Sequence, residues 1–180
     1  VINVAAETEA LGFTLVGSAG VDTITGGAGA DTMTGGTGAD VFVFATTSTA
    51  APSDTVFDTI TDFTTASDVF DYAVNVTIVT NTTTATAGVG ATSSAGITTF
   101  HTDDDTLAER IIAAEASIAT GSGANGQGTA FMFGSDAYVF ISDGTDGVAA
   151  ADTLVKLTGV DLTATATDTI TLSSGDFTLA

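Results

Sequence analysis

Three aspartates spaced nine residues apart, Asp22, Asp31 and Asp40, are the residues of this chain best arranged to do chemistry. Each closes a Gly-rich hexapeptide, and each is followed two positions later by a large apolar residue: Ile24, Met33 and Phe42. From Gly17 to Val43 the stretch reads GSAGVDTIT, GGAGADTMT, GGTGADVFV. Carboxylates and backbone carbonyls crowded into glycine turns are hard oxygen donors, so the chemistry they fit is coordination of a hard cation such as Ca²⁺. Composition points the same way. The 180 residues include 22 acids against two bases, a net charge of −20, with no cysteine and one histidine. Such a chain repels nucleic acid and anionic lipid, has no disulfide framework, and lacks thiolate ligands for softer metals.

The repeat also dictates the elements that must carry it. Six residues turn and three extend, and strands of three residues are stable only when stacked, which predicts a parallel β-solenoid with the Ile24, Met33 and Phe42 side chains in its interior. Two nonapeptides complete one coil, so residues eighteen apart lie above one another. Asp22 and Asp40 therefore share an edge, and Asp31 lies on the opposite one. Two stacked carboxylates repel unless a cation sits between them, and Ca²⁺ would take its remaining oxygens from backbone carbonyls near Gly17, Ala19, Gly36 and Gly38. The plainer reading, ordinary Asp-Gly turns, explains neither the fixed Asp nor the fixed apolar position.

GGAGADTMT and GGTGADVFV resemble the GGxGxDxUx nonapeptide of the RTX family, a calcium-binding β-helix repeat. The segments VFVF (41–44), DTITDF (58–63) and SDVFDY (67–72) resemble the closure of the β-roll in serralysin-type and other type I-secreted proteins. That resemblance implies a second site in which Asp58, with Asp54 as a nearby substitute, completes the oxygens offered by Gly26, Ala28 and Asp31. RTX proteins usually place another acid after the FVF strand, and residues 45–53 contain none.

Upstream of the repeats, TEALGFTLV keeps the nonapeptide frame, with Leu15 in the apolar position and Phe13 where Asp is expected, so residues 1–16 are read as strands covering the first coil. Downstream, VNVTIVT (74–80), GITTF (96–100), AFMFG (130–134), DAYVFIS (136–142), DTLVKLTG (152–159) and DTITL (168–172) are expected strands. TLAERIIAAEASIA is the exception. Thr106 and Glu109 form a capping box, and Leu107, Ile111, Ala114 and Ile118 make one apolar stripe, which predicts a helix near 106–119. Asp103 to Asp105 suit the positive end of its dipole. The tail from Phe131 onward, ending in DFTLA, is similar to the C-terminal region of RTX surface-layer proteins, which implies an uncleaved export signal. SDGTDG (142–147) is read as a hairpin turn in preference to an ion site.

The other motif matches lack context. GSGANG (121–126) follows a helix and opens none, so dinucleotide binding is not expected. No zinc signature or nucleophile set can be assembled around His101. The Thr-x-Thr steps at Thr23, Thr25, Thr32 and Thr34 would suit an ice-binding face, but two rungs are too few for one.

The expected architecture is mainly β, a short parallel β-roll continuing into a β-rich C-terminal domain with one α-helix: capping strands 1–16, roll and closure 17–72, and an assembly and secretion domain 73–180. The expected function is a non-catalytic, calcium-binding, extracellular structural module that self-assembles at a bacterial surface as a layer, sheet or filament. Its expected partners are further copies, a type I secretion machinery and cell-surface polysaccharide, with no nucleic acid and no membrane insertion. The alternative is the carrier domain of a larger secreted enzyme or toxin.

Overall fold

The computed structural model describes residues 1–8, 11–44, 50–72, 76–78, 84–92, 96–118, 126–145, 147–162, 170–173 and 176–179. Its strands are β1 (Ile2–Asn3), β2 (Thr14–Val16), β3 (Thr23–Thr25), β4 (Thr32–Thr34), β5 (Val41–Phe44), β6 (Asp58–Ile60), β7 (Val69–Tyr72), β8 (Thr77–Ile78), β9 (Ala91–Thr92), β10 (Thr98–Thr99), β11 (Gln127–Phe133), β12 (Asp136–Ser142), β13 (Thr153–Leu157), β14 (Ile170–Ser173) and β15 (Asp176–Leu179), with the helix α1 (Leu107–Ile118) between β10 and β11. The fold is mainly β, with a parallel β-roll at its N-terminal end.

Successive strands of the repeat alternate between two sheets. β1, β3, β5 and β7 run parallel in one sheet, and β2, β4 and β6 run parallel in the other. In-register pairs are Leu15 with Met33, Ile24 with Phe42, Met33 with Ile60, and Phe42 with Phe70. Because side chains alternate across a strand, the residue of each strand that aligns with this column of pairs points inward. Ile24, Met33, Phe42 and Ile60 accordingly have no exposed surface. The repeat is thus a device for placing one large apolar residue per strand into a shared interior.

Both sheets continue past the roll. β13 adds to β6 as a further parallel rung, with Leu157 opposite Ile60, before β12 and β11 continue antiparallel. In the other sheet β15 pairs antiparallel with β7, Phe177 opposite Phe70, and β14 follows. One apolar core therefore runs from Leu15 through Phe42, Phe70 and Tyr72 to Val139, Val155 and Leu157. A second cluster lies where Leu107, Ile111, Ala114 and Ile118 of α1 pack on Phe131, Tyr138, Phe140 and Leu154. The capping box is formed, Glu109 N–H donating to Thr106 Oγ1 (3.2 Å) and Thr106 N–H to Glu109 Oε2 (3.0 Å).

Several elements differ from the sequence expectation. Within residues 1–16, β1 and β2 stack in parallel on β3 and β4 as further rungs, because Ile2 and Leu15 align with the interior column. Of GITTF only Thr98–Thr99 is strand, paired with β9. β14 falls on the expected strand DTITL, and it forms a hairpin with β15, a strand that was not expected. Within 74–80, residues 74, 75, 79 and 80 lie outside the described residues, as do the GSGANG loop up to residue 125, residue 119 of the expected helix and residues 168 and 169 of the last expected strand. The Thr-x-Thr steps do not share a face: Thr23 and Thr25 lie in one sheet, Thr32 and Thr34 in the other. Asp104 is buried and holds two backbone N–H groups, Gly88 (2.9 Å) and His101 (3.3 Å), so it ties loops together ahead of the helix. Among the described residues no helix is long and apolar enough to cross a membrane.

Candidate metal centre

The turns that join the strands fall on two edges. Turns 17–22, 35–40 and 61–68 stack on the first edge; turn 26–31 and the connection from β5 to β6 lie on the second. In-register sheets force this arrangement, since Asp22 precedes Thr23 opposite Val41, and Asp31 precedes Thr32 opposite Thr59.

One hydrogen-bonding rule repeats down both edges. The backbone N–H of each residue in the Asp position donates to Oδ1 of the Asp one coil further on. Asp22 bonds to Asp40 (2.8 Å) and Asp40 to Asp68 (3.0 Å) on the first edge; Phe13 bonds to Asp31 (2.8 Å) and Asp31 to Asp58 (2.8 Å) on the second. The structure thus brings Asp22 and Asp40 together, and Asp31 and Asp58 together. Phe13 keeps the backbone half of the rule without the carboxylate. Asp54 is exposed in the connecting loop.

The first-edge turns stack closely. Gly20 N–H donates to the Thr37 carbonyl (2.6 Å), and Thr37 N–H to the Ser18 carbonyl (3.2 Å). Gly36 and Gly38 have φ of +102° and +147°, and a Cβ on them would collide with the carbonyl oxygens of Ser18 and Gly20. Only glycine admits both the conformation and the approach. Among the described residues no backbone N–H pairs with the carbonyls of Gly17, Ala19, Gly36 or Gly38. Inter-turn bonding therefore consumes alternate carbonyls and leaves the intervening ones as available oxygens. No three or more carboxylates and imidazoles of the described residues form a metal-holding group, so backbone carbonyls must complete any coordination shell here. The Ser18 N–H, with its hydroxyl, holds Asp22 below the usual carboxylate range, keeping it ionised and fit to ligate.

The second edge is enclosed. Glu7 O accepts Ala28 N–H (3.1 Å), so the N-terminal segment covers turn 26–31 from one side, and Ala28 is only 1% exposed. On the other side lies a cavity of about 20 Å³ lined by Gly26, Gly27, Gly29, Asp58 and Asp152 together with apolar groups that include Phe44, Pro52 and Phe57. Burial pushes the Asp58 carboxyl up to about 7; the Asp31 N–H opposes this and the Asp31 charge adds to it. Burial also raises Asp152, against the N–H groups of Ala149 (2.7 Å) and Asp143 (2.8 Å). A glycine-walled space holding a buried acid with no base in its lining fits a cation.

Residues 14–42 match the model of the RTX calcium-binding nonapeptide repeat (4 copies). This segment carries calcium-binding repeats. Calcium is therefore the ion for which the stacked turns are built, and the donor set of carboxylates and unpaired turn carbonyls fits it. No curated protein matches the chain. Among solved structures, the solution structure of the AlgE6R3 subunit from the Azotobacter vinelandii mannuronan C5-epimerase is similar at 21% identity and a TM-score of 0.41, over 91% of this chain and 81% of that one.

Two residues of the site escape a reading by repeat. Asp68 takes the position below Asp40, and Thr64 N–H donates to its Oδ2 (2.8 Å) as Ser18 does to Asp22 and Gly27 to Asp31. Turn 61–68 has eight residues instead of six, so no fixed-period template finds it; the spacing of four between Thr64 and Asp68 was the available signal. Asp62 accepts from Gly35 N–H (2.9 Å) and Gly36 N–H (2.8 Å).

Proposed function

We propose that the chain is a non-catalytic, calcium-folded module of an extracellular protein, exported by a type I system through an uncleaved C-terminal signal, and that it associates with further copies in a surface-layer-like sheet or filament. Calcium-binding repeats support the extracellular setting, because modules of this kind bind at about 10⁻⁴ to 10⁻³ M and stay open in a cytosol. The observation that carries association is exposed apolar surface on the roll: among the described residues Val16 of β2, Leu11 ahead of it and Val21 in the turn after it are large, apolar and exposed. Exposed apolar side chains beside a strand favour contact with another chain. A net charge of −20 opposes approach of copies until calcium neutralises the Asp turns.

The test is light scattering across a calcium series beside circular dichroism. Ordered oligomers in millimolar calcium that disperse on chelation support this reading. Complete folding with the mass of a monomer at high protein concentration would overturn it in favour of a carrier domain from a larger secreted enzyme or toxin.

A further inference from the structure

One turn breaks the pattern that the others share. In turns 17–22, 26–31 and 61–68, the N–H four residues before the Asp donates to that Asp's own Oδ2: Ser18 to Asp22 (2.8 Å), Gly27 to Asp31 (2.9 Å) and Thr64 to Asp68 (2.8 Å). In turn 35–40 the equivalent N–H, of Gly36, goes to Asp62 Oδ2 (2.8 Å), and Gly35 N–H goes to Asp62 Oδ1 (2.9 Å). We propose that Asp62 is a positioning residue for the first-edge calcium ion: by taking both N–H groups of turn 35–40 it leaves Oδ2 of Asp40 uncommitted and available to the ion.

Asp40 is 1% exposed, and its Oδ1 accepts Asp22 N–H (2.8 Å). Among the described residues no donor reaches its Oδ2. That oxygen is therefore free to ligate a cation in the gap between the stacked turns. Asp62 raises the demand for a cation twice over. It removes the donor that would otherwise satisfy Asp40, and it brings a second carboxylate to the same turn. Its own charge is held by two adjacent backbone N–H groups, an anion-binding arrangement that needs no metal. The result is a division of labour: Asp62 shapes the turn, and Asp40 faces the ion. Asp22 and Asp31 must do both, because each is bound by its own turn.

The inference rests on calcium binding by the turns and is independent of self-association. It is tested by isothermal titration of Ca²⁺ into the full chain for the parent, Asp62→Asn, Asp40→Asn and the double variant, with circular dichroism at saturating calcium. Asp62→Asn keeps one acceptor and sets an amide against an N–H, so Asp40 is expected to swing to Gly36. Loss of an outer partner of this kind typically lowers metal affinity about 10- to 100-fold, expected here for one class of ion only. In the Asp40→Asn background the same change is expected to have no further effect, a non-additivity that a purely structural role would not produce. Asp62→Glu, which keeps both acceptor oxygens, is expected to recover part of the affinity. Unchanged affinity in Asp62→Asn, an equal loss with and without Asp40, or failure of Asp62→Asn to fold at saturating calcium overturns the proposal. If Asp40→Asn itself leaves binding unchanged, the first-edge site is refuted, and the role of Asp62 with it.

Discussion

The two edges of the roll are made from one hexapeptide and end in different surroundings. On the first edge, turn stacks on turn: 17–22 and 35–40 bond through alternate backbone groups, 61–68 joins 35–40 through the carboxylates of Asp62 and Asp68, and residues 36–39 are exposed. On the second edge, turn 26–31 is covered by Val4 to Glu7 on one side and faces a small cavity on the other, lined by Pro52, Val56 and Phe57 and by the start of β13. The repeat supplies both edges with a carboxylate in the same place. What flanks the repeat decides how far each carboxylate is from water. Asp22 is held below the ordinary carboxylate range by local donors, whereas Asp58 is pushed up to about 7 by burial. Carboxylates on the two edges thus make one site governed by turn stacking and, where the closing segment adds Asp58, one governed by desolvation.

Removing calcium should have the largest effect because both edges depend on it. In chelator the strands of the roll are expected to lose their β signal by circular dichroism and to regain it in millimolar calcium. A full β signal in chelator would mean that neither edge needs the ion. Next comes the column that the two edges share. Phe42→Ala removes a fully buried ring and should cost about 3–5 kcal/mol in thermal or denaturant unfolding. Added calcium should not abolish that loss, since the defect is a cavity and not a missing ligand.

Asp40→Asn and Asp31→Asn separate the edges. Each should weaken one class of ion at least about tenfold in a calorimetric titration and leave the other class in place, because the carboxylates lie on opposite sides of the core. Loss of both classes in either variant would show that the edges bind as one unit.

Acidity should then distinguish the edges. Asp58 in the calcium-free fold holds its proton up to about pH 7, while in the unfolded chain it ionises near the ordinary carboxylate value. Between those values the fold binds more protons, so the contribution of Asp58 to calcium-free stability is present at low pH and is lost as pH rises through about 7. Calcium must displace that proton. Second-edge affinity should fall about tenfold per unit below pH 7, and first-edge affinity should change much less over the same range. Equal pH dependence at both edges would contradict the assigned environments.

The smallest expected effect lies outside both edges. Asp136 is held below its usual range by Lys156 (2.8 Å) and by Gly159 N–H, yet the pair is partly exposed. Asp136→Asn should cost no more than about 1 kcal/mol and leave calcium binding unchanged in the same titration.

Some of this was available from spacing alone. A period of nine with one Asp and one apolar residue places Asp22 over Asp40, puts Asp31 opposite them, and sends Ile24, Met33 and Phe42 inward, because strand alternation and coil length leave no other register. The Thr106–Glu109 capping box and the apolar stripe of α1 are equally local, so the helix was legible. Asp68 was not, since turn 61–68 is two residues longer than the six-residue turns of the repeat and is matched to turn 35–40 by the pairing of β5 with β7. The role of Asp62, the cavity beside Asp58 and the continuation of both sheets through β13 and β15 depend on segments far apart in the chain. Periodicity reports which residues recur beside their neighbours; which distant segment closes over them, and so how much water each carboxylate keeps, is decided by packing in three dimensions.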